Sequence, residues 1–290
     1  MNPHLIQSPE EKFRRKQHRL EQQQQQIKPS KRFLKDDTQH LLLLNEQDRL
    51  LLQQINHAYE NRTQYIHPMD ILPELLTNNE FFLHCSTLND LINSRSIGIL
   101  HLILFFKLAS SHFQILNDND KLALVKYNIP TLFWLNMALC YNPMTNTFSL
   151  DEQRDLTFDG RTYLSFYGLN IYNQLIKNIR SLQQFVAIDP LIIQVLILSL
   201  LFSHYSSCTS LVEPVLIDRN YIRQCQNDYV TLLIRILFER FGQPYADNLF
   251  SKLIFLSLNI QNLNQEISAI ETRQIFHENL SHLMQIFFIR

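Results

Sequence analysis

Leu104-Phe105-Phe106-Lys107-Leu108-Ala109-Ser110-Ser111-His112-Phe113-Gln114-Ile115-Leu116-Asn117-Asp118-Asn119-Asp120-Lys121-Leu122-Ala123-Leu124-Val125-Lys126 is the stretch on which the fold turns. It reads as two apolar helices meeting at a polar joint. Residues 96–113 form the first. Asp118–Asp120 opens the second, because acids favour the positive end of the helix dipole. The apolar pattern then runs to Cys140. Pro130 lies inside this second segment, lacks a backbone donor, and is expected to kink or divide it.

Working outward, the pattern stays helical. Asn45-Glu46-Gln47-Asp48 caps a segment reaching about Tyr59. Further helices are expected near 166–180, 189–206, 214–240 and 244–272, with a short last one near 279–289. Residues 145–163 break the period. Thr145–Leu150 and Leu156–Tyr163 carry alternating β-branched and aromatic residues, with Asp159-Gly160 as a turn, so one small β-hairpin is expected.

Composition agrees. Of 290 residues, 46% are hydrophobic and 18% charged, which excludes a chain disordered throughout. Gly98, Gly160, Gly168 and Gly242 are the only glycines, and no two are close. That spacing excludes a P-loop, a dinucleotide fingerprint and a G-x-S-x-G elbow. A net charge of −1 gives no global basic field for nucleic acid. Cys85, Cys140, Cys208 and Cys225 are too far apart for zinc-finger spacing and read as reduced thiols of an intracellular protein. The first twenty residues are polar and charged, unlike a secretory signal. Leu191–Phe202 is the longest apolar run; twelve residues with Gln194 inside suit a buried helix and are too few to span a bilayer.

Catalytic and metal arrangements are not apparent. Ser110-Ser111-His112 has no nucleophile context and reads as a helix end. His101 and His112 read as core or boundary residues. His277 and His282 are five apart and share no clean helical face. The chain is expected not to be an enzyme and to hold no metal or cofactor.

Residues 1–38 differ from the rest. Ser8-Pro9-Glu10-Glu11 is a helix start. Lys12, Arg14, Arg15, Lys16, His18 and Arg19 follow, then Gln22–Gln26 and Lys28-Pro29-Ser30-Lys31-Arg32. A short solvated helix and a glutamine linker are expected, the basic run being either a plain solvated face or a nuclear-import or DNA-backbone-contacting segment. Between about 244 and 272, Leu249, Leu253, Leu256, Ile260, Leu263 and Ile267 alternate spacings of four and three, while Phe250, Ile254 and Leu258 add a second apolar face. Such a helix is either central to a bundle or packed on one side and open to a partner on the other.

The opening stretch resembles the helix 3–helix 4 motif of nuclear receptor ligand-binding domains: an aromatic, a small residue and Lys, then Phe, then L-x-x-x-D-Q-x-x-L-L-K. Phe113, Leu116, Asp120, Leu124, Val125 and Lys126 fall on it without a gap, and Lys121 replaces its Gln. Leu44–Tyr59 resembles that family's first helix, and Phe185–Phe202, with Ile188-Asp189, its eighth. Ile222–Phe241 resembles the ninth, with Gln226, Tyr229, Leu233 and Arg240 in place. Leu249–Glu266 resembles the dimerising tenth, with Lys252, Leu263, Asn264 and Glu266. Leu5–Glu11 and the basic run are similar to the stretch after the second zinc finger, closest to the vitamin D, liver X and ecdysone-related branch. The resemblance thus implies that residues 1–38 are the hinge and C-terminal extension of a DNA-binding domain absent from this chain. Residues 39–290 would be the ligand-binding domain.

That family's fold is all-α: a three-layer α-helical sandwich, here with one small hairpin, enclosing an apolar cavity. The resemblance implies that Ile92, Arg95, Ser96 and Ile99 face the cavity from helix 3, Phe133, Trp134, Asn136, Met137 and Cys140 from helix 5, and Ile267 from the tenth. Asn136 stands where vitamin-D-type receptors place a ligand-gripping arginine, and Ile267 where many relatives place a ligand-contacting histidine. The cavity then either takes a small lipophilic ligand, burial contributing about 25 cal/mol per Å², or is filled by Phe133, Trp134 and Met137. Arg95 and Ser96 need polar partners there in either case.

The same resemblance implies a coregulator groove for an amphipathic L-x-x-L-L helix, built from Lys107, Phe113 and Lys126 with Leu283, Met284, Gln285, Ile286 and Phe287 of the last helix. Leu108 takes the clamp-lysine position, with Lys107 one residue early, and Gln285 stands where the family has Glu, so altered coregulator binding is expected. Leu249, Leu253, Leu256, Ile260 and Leu263 would form the interface of a homodimer or of a heterodimer with a retinoid X receptor-like partner. The function implied is a ligand-regulated transcription factor domain in the nucleus, not at a membrane and without sequence-specific DNA binding by this chain alone. The alternative is a ligand-independent helical partner protein that occupies a receptor's dimer face.

Overall fold

Short polar side chains start most of the helices. In the computed structural model, which describes residues 43–65, 85–151, 156–203, 216–243, 245–275 and 279–288, Asn45 with Asp48 and Thr87 with Asp90 form reciprocal capping boxes. These open α1 (Glu46–Asn61) and α2 (Leu88–Ala109). Ser110 ends α2 with an extended backbone, and its hydroxyl caps the short α3 (Ser111–Ile115). Asn117 caps α4 (Asp118–Cys140). The long apolar helix thus begins eight residues earlier than the apolar run suggests and stops at the serine pair.

Pro130 does not divide α4, which runs unbroken through it. Leu124, Ile129, Leu132 and Phe133 are all buried, so core packing on both sides of the proline outweighs one lost backbone bond. After α4 come β1 (Tyr141–Asn142), β2 (Thr147–Asp151) and β3 (Leu156–Asp159). They form an antiparallel sheet in the order β1-β2-β3, so the expected hairpin gains a third short strand. Asp159-Gly160 is not its turn. Instead the Asp159 carboxylate accepts from the Arg161 amide at 2.8 Å at the start of α5 (Arg161–Val186).

Gly168 breaks α5 with φ 77° and ψ 170°, a left-handed conformation that favours glycine. Asp189 then caps α6 (Pro190–Leu201), which has Pro at its first position and turns 117° away from α5. The last three helices are α7 (Arg219–Phe241), α8 (Tyr245–Gln274) and α9 (His282–Phe288).

Three layers result, so the architecture is the all-α one expected. α1 and α2 pack on each other and onto α4 and α6. α4, α6 and α7 make the middle layer, and α5 and α8 pack on its far side. α6 is apolar all round because it is surrounded: Ile192, Ile193 and Val195–Leu198 have no exposed surface. Ion pairs tie the layers at their ends. Arg235 reaches Asp48 at 2.9 Å and Arg49 reaches Glu239 at 2.9 Å, while within the middle layer Arg240 holds the α6 cap Asp189 at 2.8 Å. Among the described residues, α2 alone is unbroken, long and apolar enough to cross a membrane, and two-thirds of its apolar window is buried in this core.

The chain divides into Met1–Leu41 and Leu42–Arg290, and the described residues all belong to the second unit. The basic helix and glutamine linker expected in 1–38, Cys208 and His277 lie outside the described residues.

Candidate functional site

The ten interior candidates converge. Ile92, Arg95, Ser96 and Ile99 on α2, Phe133, Trp134, Asn136, Met137 and Cys140 on α4, and Ile267 on α8 are all buried. Gly98 lets α2 close on α4: a Cβ there would lie 3.0 Å from the Phe133 ring.

At the centre, the Arg95 guanidinium lies 2.7 Å from the Glu271 carboxylate of α8. Arg95 also donates to the Tyr167 hydroxyl, which in turn donates to Glu271 at 2.5 Å. The Arg95 charge sits 5.1 Å from the Trp134 ring centre and 5.8 Å from those of Phe133 and Tyr167. Burial pulls the guanidinium's pKa down, but Glu271 and the neighbouring tyrosines outweigh it, so the group stays charged. Burial, foremost, pushes Tyr163 and Tyr167 far above the ordinary phenol range, so both remain neutral. Arg95 Nε alone in this cluster has no hydrogen-bond partner.

The other polar groups are also satisfied from within. Asn136 accepts from the Tyr59 hydroxyl at 2.8 Å and faces Cys140 Sγ at 3.8 Å. Trp134 Nε1 donates to Asn264 at 3.2 Å. Ser96 and Ser281 hydroxyls meet at 3.0 Å, just before α9. Glu271 and Tyr167 are assigned no role in the sequence pattern, whereas Tyr59 and Asn264 fall in the stretches that resemble the family's first and tenth helices. Glu271 had a signal: it lies four residues beyond Ile267 on the apolar seam, and an acid there is a buried carboxylate that needs a cation.

A second feature is open to solvent. A groove of about 900 Å³ runs between the C-terminal turns of α2 and the first turns of α4, with α3 beneath. Ile103, Leu104, Lys107 and Leu108 form one wall, Asp118, Lys121, Leu122 and Val125 the other, with Phe113, Gln114 and Tyr65 completing it. Tyr65 and Leu122 are 68% and 57% exposed, so the groove offers apolar surface to solvent. Lys107 and Phe113 both line this groove. Lys126 follows the groove on the exposed side of α4, and none of the α9 candidates lines it.

On α9, Met284 is buried, Leu283 and Phe287 pack partly against the core, and Ile286 is 38% exposed. Gln285 donates to the Leu280 carbonyl at 2.9 Å and supplies no charge. Beneath the groove, Asp120 accepts from the Ile217 and Asp218 amides at 2.7 and 3.1 Å, stapling the start of α7 to α4. Burial would raise its carboxyl pKa, but these amides and Asn117 more than offset that and hold it below the usual carboxylate range.

On α8 the expected interface is turned inward. Leu253, Leu256, Ile260 and Leu263 are buried in the chain's own core, and Leu249 packs partly against it. The period identified the buried face, and the exposed large apolar residues of α8 beyond its first turn are Phe255 at 62% and Leu258 at 51%. Lys252 lies beside them, 5.4 Å from the Phe185 ring.

Among the described residues no three His, Cys, Asp or Glu side chains gather as metal ligands would. Burial, foremost, pushes the Cys85 and Cys225 thiols up to about 11, so neither is a thiolate near neutrality. No family model and no curated protein matches this chain.

Proposed function

We propose that residues 42–290 are a nuclear receptor-type ligand-binding domain that regulates transcription in the nucleus by pairing with a second such domain and presenting its groove to amphipathic helices. The observation that carries this reading is that the stretch resembling the family's motif, 104–126, supplies nearly all of the groove's lining, on a three-layer helical body. The exposed pair Phe255 and Leu258 on α8 is the apolar face assigned to pairing, in place of the buried seam.

In this reading the domain works without an obligatory ligand. Phe133 and Trp134 occupy the interior, and the Arg95 charge is met by Glu271 and Tyr167 rather than by a bound molecule. Protein surfaces then carry the regulation. A second reading, a small lipophilic ligand anchored by a polar group, is favoured by one atom: the buried Arg95 Nε that lacks an acceptor.

Delipidated protein should show no melting shift across a sterol and fatty-acid panel, and native mass spectrometry after incubation with cell extract should find it free of lipid. A stoichiometric lipid that raises the melting temperature establishes the second reading. Absence of both helical-peptide binding and pairing with itself or a retinoid X receptor-like domain would sink the receptor reading.

A further inference from the structure

One turn of α2 holds both ends of the connection from α8 to α9. Inward, Arg95 pairs with Glu271, three residues before α8 ends at Gln274. Outward, the Asn93 side chain donates to the Asn279 carbonyl at 3.0 Å and accepts from the Ser281 amide at 2.8 Å. Ser96 meets the Ser281 hydroxyl at 3.0 Å, and Ser281 Oγ in turn accepts from the Met284 amide at 3.4 Å at the start of α9. α9 has seven residues and buries Met284 as its anchor. A helix that short does not persist on its own, so its position depends on what pins it.

We propose that Arg95, Glu271 and Tyr167 form a positioning cluster that holds α9 docked. This rests on the reading in which the interior is closed by its own side chains. The mechanism is geometric. Arg95 is braced by the Trp134 and Phe133 rings and cannot follow Glu271 outward, so the pair fixes the last turn of α8 against α2. With α8 fixed, Asn279 and Ser281 come within reach of Asn93 and Ser96. Loss of the carboxylate frees the α8 terminus, and the weaker outer hydrogen bonds then hold α9 alone. A buried ion pair is a poor source of net stability but specifies one arrangement over others. Glu271 is a positioning residue in this sense.

Hydrogen exchange followed by mass spectrometry tests this on the full chain. In Glu271→Gln, amides of α9 should exchange about tenfold faster or more than in the unaltered protein, while those of α6 keep their protection. The double variant Arg95→Met/Glu271→Met removes both charges, leaves neither unpaired, and keeps the test open if the single variant fails to fold. It should show the same selective loss in α9. Unchanged α9 exchange in a folded variant, or a rise shared equally by α6, overturns the proposal. Adding the lipid panel to the unaltered protein separates the underlying reading: new protection at 163–167 and 267–271 would refute the closed interior, whatever the variants do.

Discussion

Two parts of α2 face two kinds of environment. Its first turns carry Arg95 and Ser96 into an interior where both are met by side chains of the same chain. Its last turns carry Lys107 to the rim of an open groove beside Leu104 and Leu108. The difference lies in where the partner comes from. A buried charge whose counter-charge is already built in fixes geometry, whereas a charge held in water beside exposed apolar surface is free to recognise another molecule.

The largest expected effect extends the division between inward and outward faces to α8. Leu256→Arg buries an unpaired charge and should abolish cooperative unfolding, at a cost of several kcal/mol. Phe255→Arg, one residue away on the outer face, should change stability by no more than about 0.5 kcal/mol and weaken self-association in light scattering. A folded, monomeric Leu256→Arg protein would invert the faces.

A middle-sized effect contrasts two acids on the first turn of α4. Asp120 is fully buried, while the Asp118 side chain is 99% exposed. Asp120→Asn should cost about 1–3 kcal/mol in urea unfolding at neutral pH, and Asp118→Asn close to nothing. Acid sharpens this. Hydrogen bonds and ion pairing, outweighing burial, hold the Asp90, Asp120 and Asp159 carboxyls below their ordinary values. Their stabilisation is therefore whole above the ordinary carboxylate range near ~4 and is lost as pH falls through the lower folded values. Asp120→Asn should flatten that acid limb; an unchanged slope would remove Asp120 from the account.

The smallest effect on stability belongs to the groove. Lys107→Glu should alter unfolding by no more than about 0.5 kcal/mol. It should still weaken an L-x-x-L-L peptide with acidic flanks, measured by fluorescence anisotropy, and weaken a basic-flanked one less. Equal loss for both peptides would show that Lys107 acts through shape rather than charge.

Helix order is legible because it rests on local signals, capping residues and apolar period, whereas the layering is implied only by the family resemblance. The interior was half legible. Arg95 could be seen to need a partner, but Glu271 lies 176 positions along the chain, and nothing local announces a contact at that distance. The seam of α8 showed which residues share a face and could not say which side of the helix meets water. A division of α4 at Pro130 does not occur for a related reason: a local propensity is overridden by the core around it.

At Gly168, free space and backbone conformation give opposite answers to an engineer. It lies next to Tyr167 and has empty space where a side chain would go. Its φ of 77° nevertheless marks the bend inside α5, one residue after the phenol that donates to Glu271. An alanine there would fit by volume and still be resisted by the main chain. The bend beside the central polar knot thus depends on a residue that belongs to none of its members.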